Sequence, residues 1–367
     1  MTGAALCAVL TLIVASWLVR DIRAVDADQL WRYWAGFGEA RPRAMPATSP
    51  LDVALLVVYA AATVAALRSS VAATVLVATG VITLAVRLPG LWGIGSHRME
   101  SVFSDDLRSR ALICAFVALA AGIALFITAG AGRRPPADSY EQLPTRPGPG
   151  ASVAAFLMLG AAGAVLIAWE IRQMVRYPEI YPEWYVGGDR VPHGVIDPPP
   201  GWGTAALALL CLVAGASALF HAVHARPFGL VAAVLLLPGG VLGVIRVVHY
   251  DLLDHFGSLP TETQLTLLSW IFELLAALVV LIALAPRGFA DVPGPYGPGP
   301  GPGYGPPEFG PPGYSPTPYP GQQQPPAPGY GYPQGGGYGY PQGGGYGYPQ
   351  GGGFGPPPPP SQPPPGW

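Results

Sequence analysis

Eight apolar runs, each close to the length that crosses a lipid bilayer, constrain this chain more than anything else in it. They are Ala4–Val19, Leu51–Leu67, Val71–Leu88 and Ala111–Ala129, then Ser152–Trp169, Thr204–Val223, Phe228–Val248 and Leu265–Ala285. A helix of about 20 predominantly apolar residues spans the roughly 30 Å hydrocarbon layer. Several runs are slightly short, so the helices are expected to extend into their flanks. In lipid the backbone must satisfy its own hydrogen bonds within the segment, so the runs predict helices even where valine is frequent. At 51% hydrophobic and 11% charged residues, a soluble domain of this length would need far more charge.

The eight runs fall into two sets of four with the same kinds of loop between them. The first run of each set ends in Trp17-Leu-Val-Arg20 or Trp169-Glu-Ile-Arg172. A tryptophan follows in both (Trp31 and Trp184), then a small Gly/acid/Arg/Pro cluster, Gly38-Glu39-Ala40-Arg41-Pro42 and Gly188-Asp189-Arg190-Val191-Pro192. The reading is an all-α membrane protein of about eight transmembrane helices in two tandem four-helix repeats, residues 1–135 and 152–290. A linker joins them over 136–151, and a disordered tail covers 291–367. Each set holds an even number of spans, so both run the same way through the membrane, related by a pseudo-two-fold along its normal. The Trp-x-x-Arg pairs read as interface anchors. The Leu-Pro-Gly-Gly at 237–240 should kink or thin the seventh helix.

Long aromatic loops (20–50, 89–110, 170–203, 249–264) lie on one side, and the short turns and tail on the other. All nineteen basic residues are arginine, and thirteen lie on the long-loop side. Counting arginines would place that side in the cytoplasm. Those loops also carry at least as many acids, with Trp, Tyr and Pro suited to an ordered external cap. Arg133-Arg134 after the fourth run and Arg287 after the eighth favour a cytoplasmic tail, which is the orientation adopted.

From Pro293 the chain is Pro, Gly, Tyr and Gln with Glu308 as its sole charge, and Gly-Tyr-Gly-Tyr-Pro-Gln-Gly-Gly recurs at 329, 337 and 345. Such a composition cannot bury enough apolar surface to offset chain entropy, so disorder is expected. Its proline runs favour polyproline II and can serve as ligands for protein partners. In tail and lysine-free style the chain resembles multi-pass membrane proteins of actinobacteria that end in Pro/Gly/Tyr-rich tails. The resemblance is compositional, implies a bacterial cell-membrane location, and carries no functional residue over.

Glu273, near the middle of the last span, is the foremost candidate residue, because a carboxylate at that depth usually faces a bundle interior, a cavity or a partner. Arg87 and Arg246 end the third and seventh runs at equivalent places. Either can snorkel to the interface, or Arg246 can tilt inward to pair Asp251 or Glu273. In His249-Tyr-Asp251-Leu-Leu-Asp254-His255, a continued helix would put Asp251, Asp254 and His255 on one face, a spacing compatible with a divalent metal. His221 and His224 stand one turn apart at the end of the sixth run. Asp26-Ala-Asp28 resembles, in position, the first-external-loop acids of membrane glycosyltransferases that use lipid-linked sugars. Glu39/Arg41 and Asp189/Arg190 read as local ion pairs. Cys7, Cys114 and Cys211 read as small buried hydrophobes.

No nucleotide-binding glycine loop, hydrolase motif or nucleic-acid patch appears, and no cofactor is indicated. The expected activity is that of a non-enzymatic membrane or envelope protein recruiting partners through its tail. One alternative is a small transporter with a path between the repeats and Glu273 as coupling residue. The other is a membrane enzyme acting on a lipid-linked substrate.

Overall fold

The structure, a computed structural model, describes residues 1–40, 42–68, 72–131, 145–191 and 193–286, and the backbone of 289–290. The expectations for Arg41, Pro192, Arg133, Arg134, Arg287 and the tail fall outside the described residues.

Eight long helices follow the eight apolar runs: α1 (Thr2–Val25), α3 (Pro50–Arg68), α4 (Ala73–Arg87), α7 (Asp105–Ala131), α8 (Pro149–Arg176), α10 (Pro200–Leu219), α11 (Ala225–His249) and α12 (Thr261–Leu284). All eight, α4 together with the turn that continues it to Gly93, are long and apolar enough to cross a membrane. Between them lie the short helices α2 (Ala27–Ala35), α5 (Gly90–Gly93), α6 (His97–Val102) and α9 (Tyr181–Val186). Proline opens α3, α8 and α10, where its missing N–H costs no hydrogen bond and its fixed φ suits a first turn. The helix α2 stops at Gly36, whose φ of 71° a side chain would resist. The sixth run ends early, at Leu219, because His221 turns the chain with φ 51°. A two-residue antiparallel pairing sets β1 (Thr145–Arg146) beside β2 (Phe289–Ala290).

Packing is equivalent in the two sets of four. In the first, α1 packs on α3 and α4 on α7, and the ring closes through α1–α7 and α3–α4. In the second, α8 packs on α10 and α11 on α12, closing through α8–α12 and α10–α11. The sets meet where α3 and α4 face α11 and where α4 faces α10.

On α7 the inner face is mostly small and the outer face large. The inward side of α7 is Ala111, Ala115, Ala118, Ala121, Gly122 and Ala129 with Leu119 and Leu125, while Ile113, Phe116, Ile123 and Ile127 are more than half exposed. Small residues on the facing sides let helix backbones approach closely, so van der Waals contact between them is extensive. A Cβ on Gly80 of α4 would come within 3.0 Å of the Gly122 carbonyl of α7, and one on Gly240 of α11 within 2.5 Å of the Leu274 nitrogen of α12. Pro238 sits inside a continuous α11, and Gly239, Gly240 and Gly243 thin the face that receives α12.

The long loops are packed. Trp17, Ala47, Ile94, Met99, Phe103, Val195 and Ile196 form a second apolar core above the helices. Trp17, expected as an interface anchor, is instead 6% exposed in this core, because the 45–48 and 194–196 segments cover it.

Candidate functional site

The first long loop of each set docks on the other set. Arg246, closing α11, donates to the carbonyls of Ala35 and Trp34 (3.2 Å for the latter) and lies over the Trp270 ring. Gly36 lacks the side chain that would crowd this guanidinium. His249 stacks on Phe37 at 3.9 Å and meets Glu39 at 3.4 Å, and the Gly38 amide donates to the Tyr250 hydroxyl. In the other direction, Arg87 Nη1 donates to the Ile196 carbonyl at 2.6 Å and Trp202 Nε1 to the Ala85 carbonyl at 2.7 Å. Trp92 reaches Val186, and Arg98 reaches Asp189, through their backbone oxygens.

Beneath these crossed loops lie buried charges, each held by a specific partner, as charges out of water must be. Asp21 is fully buried and accepts from the amides of Ala47 and Thr48, the Thr48 hydroxyl and Arg20, which fixes the loop at the entry to α3. Glu170 does the same work in the second set, accepting from Trp184 Nε1 and the Tyr185 hydroxyl. Asp52, at the start of α3, takes Arg87 Nη2 at 2.6 Å, both side chains being nearly closed to solvent. Arg87 therefore does not snorkel. It faces inward because one acid and one carbonyl are waiting there.

Asp197 joins this pair from the second set. Its Oδ1 accepts from Ser49 Oγ at 2.7 Å, and the Asp52 carboxyl lies within hydrogen-bonding reach. Burial, with the Asp52 charge beside it, holds the Asp197 carboxyl well above the usual carboxylate range, while Ser49 and Arg87 pull the other way. Burial likewise pushes the neighbouring His193 imidazole below its ordinary value, opposed by the Gly194 carbonyl that its Nδ1 faces at 3.0 Å.

Asp197, His193 and Ser49 edge a cavity of about 400 Å³ between the two sets of helices. Leu51, Ile82 and Val86 wall it from the first set, and Leu166, Leu207 and Leu235 from the second, with Pro238 and Gly239 also in its lining. Polar groups sit at the loop end and the walls below are apolar. Glu273 does not line the cavity. It stands behind Gly239, where a Cβ would come within 2.8 Å of its Oε2.

The other candidates are placed elsewhere. Arg246 caps carbonyls of the first loop and pairs neither Asp251 nor Glu273. The helix α11 ends at His249 and the chain turns, Asp251 taking φ 49°, so the face expected of Asp251, Asp254 and His255 does not form. His255 contacts the Asp251 carbonyl rather than its carboxyl. Among the described residues no three His, Cys, Asp or Glu gather closely enough to hold a metal ion. Asp28 is exposed and tied to Arg32 and Trp31, which hold its carboxyl below the usual range. Asp26 is exposed at the junction of α1 and α2 with φ 69°. Arg190 pairs with Glu183 at 2.5 Å instead of Asp189, and this contact lowers the Glu183 carboxyl. Glu39 meets Arg32 and His249. His224 bonds Ser217 at 3.0 Å, and His221 faces the Leu219 carbonyl.

Sequence reasoning did not single out Asp21, Asp52, Glu170, Ser49, His193 or Asp197. Asp52 carried the one available signal, an acid inside an otherwise apolar run. Compared with known families, curated proteins and solved structures, the chain matches none.

Proposed function

We propose that this is an eight-span integral membrane protein of the bacterial cell membrane that carries an amphipathic small molecule in the cavity between its two helix sets. The observation that supports this reading is that cavity. Its size falls within the range that holds small ligands, and its apolar walls with a few convergent polar groups are what such sites need. Tandem four-helix repeats explain the equivalent rings and the reciprocal arginines. Binding at the meeting of two parallel repeats is a recurrent transporter design. The termini face the cytoplasm and the crossed loops form the external cap, so the cavity mouth opens outward. Glu273, behind Gly239, takes the part of a coupling group near the cavity wall.

The test is binding of a neutral fluorescent probe, N-phenyl-1-naphthylamine, to the full chain in nanodiscs. Saturable binding above empty nanodiscs is expected, reduced in Leu207→Trp, whose indole would fill the wall. Fluorescence equal to empty nanodiscs in the wild type would sink the reading.

The three identical octads of the tail favour a second, compatible role, recruitment of protein partners. Deleting 293–367 should change the proximity-labelled neighbours; an unchanged set would remove this role.

A further inference from the structure

We propose that Asp197 is a cation-binding group at the cavity mouth, and that the cavity takes a lipophilic organic cation in exchange for a proton on that carboxyl. This rests on the carrier reading above and adds the charge of the ligand.

Two carboxyl groups, Asp52 and Asp197, share the neighbourhood of one guanidinium, Arg87. Arg87 commits Nη2 to Asp52 and Nη1 to the Ile196 carbonyl. Among the described residues, no second cation forms an ion pair with Asp197. Ser49 on the loop before α3 is a neutral donor, and the Tyr33 phenol on α2 is neutral. Burial disfavours the protonated form of His193, and Arg98 on α6 donates to the Asp189 carbonyl rather than to the Asp197 carboxyl. Among the described residues, one carboxylate therefore lacks an ion-pair partner whenever both acids ionise. An uncompensated buried carboxylate takes up a proton instead.

A cationic head seated against Asp197 replaces that proton. The carboxyl O–H bond breaks, the proton leaves through the mouth to water, and the ion pair takes its place with no change in net charge. Below the mouth, Leu51, Ile82, Val86, Leu166, Leu207 and Leu235 offer only apolar surface to the body of the ligand. Alkyl or aryl ammonium and phosphonium ions combine such a body with a positive charge. An anion would meet Asp52 and Asp197, and a neutral molecule would gain nothing from them.

The experiment measures labelled tetraphenylphosphonium binding to the full chain in nanodiscs from pH 5 to pH 8, with the neutral naphthylamine probe alongside. Wild-type affinity for the cation should tighten by roughly tenfold per pH unit while Asp197 is protonated, then level off. Asp197→Asn should lose the pH dependence of cation binding. Asp197→Glu, which keeps the charge, should retain the pH dependence. The wild-type pH profile alone decides the matter if the Asn variant does not fold. Cation binding that is flat with pH, or unchanged in Asp197→Asn, while the neutral probe binds, overturns the proton exchange and leaves the cavity reading standing. Failure of both probes to bind overturns the cavity reading and this inference with it.

Discussion

Arg87 and Arg246 make the same contact in opposite directions. Each lies seven residues after a glycine at a helix contact, Gly80 or Gly239, at the end of its own helix. Each donates to a main-chain carbonyl in the first long loop of the other set, Arg87 to Ile196 and Arg246 to Ala35 and Trp34. The two sets thereby clasp one another through their loops, above an interface whose middle is a cavity. The two arginines differ in what else they hold. Arg87 has a buried acid, Asp52, while Arg246 has an aromatic face, Trp270.

That difference sets the cost of removing them. Arg87→Leu leaves Asp52 buried and unpaired, a change that costs about 3–5 kcal/mol. Arg246→Leu releases carbonyls at a half-buried site and should cost about 1–3 kcal/mol. Adding Asp52→Leu to Arg87→Leu should restore much of the loss, because the buried charge goes with it. Thermal unfolding in detergent, followed by tryptophan fluorescence, gives the order. A double variant no more stable than Arg87→Leu would contradict the pairing.

Asp21 is the acceptor around which residues 47 and 48 are folded. Asp21→Asn replaces one acceptor oxygen with a donor facing two amides, and should cost about 1–3 kcal/mol. The effect should be local, so limited proteolysis is the sharper readout. Cleavage between residues 37 and 48 should rise well before the helices unfold.

Glycines at the helix contacts should be far less tolerant than those in open loops. Gly240→Ala places a methyl against the backbone of Leu274, which cannot move aside without separating α11 from α12. Gly38→Ala meets nothing within 4 Å. The first substitution should lower the melting temperature clearly and the second hardly at all. Equal effects would mean that α11 and α12 are not in contact at this depth.

Stability should respond to Asp197 with a definite sign. Its carboxyl is raised in the folded state, so the folded protein binds the extra proton and loses stability as pH rises through that value. Asparagine imitates the protonated form. Asp197→Asn should therefore melt at a higher temperature than wild type at pH 8 and at nearly the same temperature below the ordinary aspartate value of 3.8. A variant less stable at pH 8 would show that the carboxylate is satisfied there.

The helices were legible because lipid-crossing length and composition leave little choice of secondary structure; the first, second, fourth, fifth and seventh extend beyond their runs at both ends, while α4 is shorter and α10 and α12 end early. The matching of Arg87 with Arg246 was legible from position, but not the direction of either side chain. That depended on carbonyls of residues 35 and 196, far away in sequence. The acids under the cap were hidden for the same reason. Asp197 sits in a proline-rich loop and gains its setting only when Ser49 and Asp52 arrive from the other set. The expected face of Asp251, Asp254 and His255 failed at a single backbone turn, at Asp251. Glu273 stands out by depth alone, and its position behind Gly239 needed the packing of α11 on α12.

The most direct measurement is thiol accessibility along α10. In a background carrying Cys7→Ala, Cys114→Ala and Cys211→Ala, Leu207→Cys lines the cavity and Leu209→Cys lies on the outer face, where Leu209 is 63% exposed. Intact cells are treated with a membrane-impermeant maleimide. The expected result is labelling at 207, slowed by tetraphenylphosphonium, with none at 209, where lipid covers the thiol. Equal labelling at both positions, or labelling at 209 alone, would contradict a water-accessible cavity between the two sets of helices.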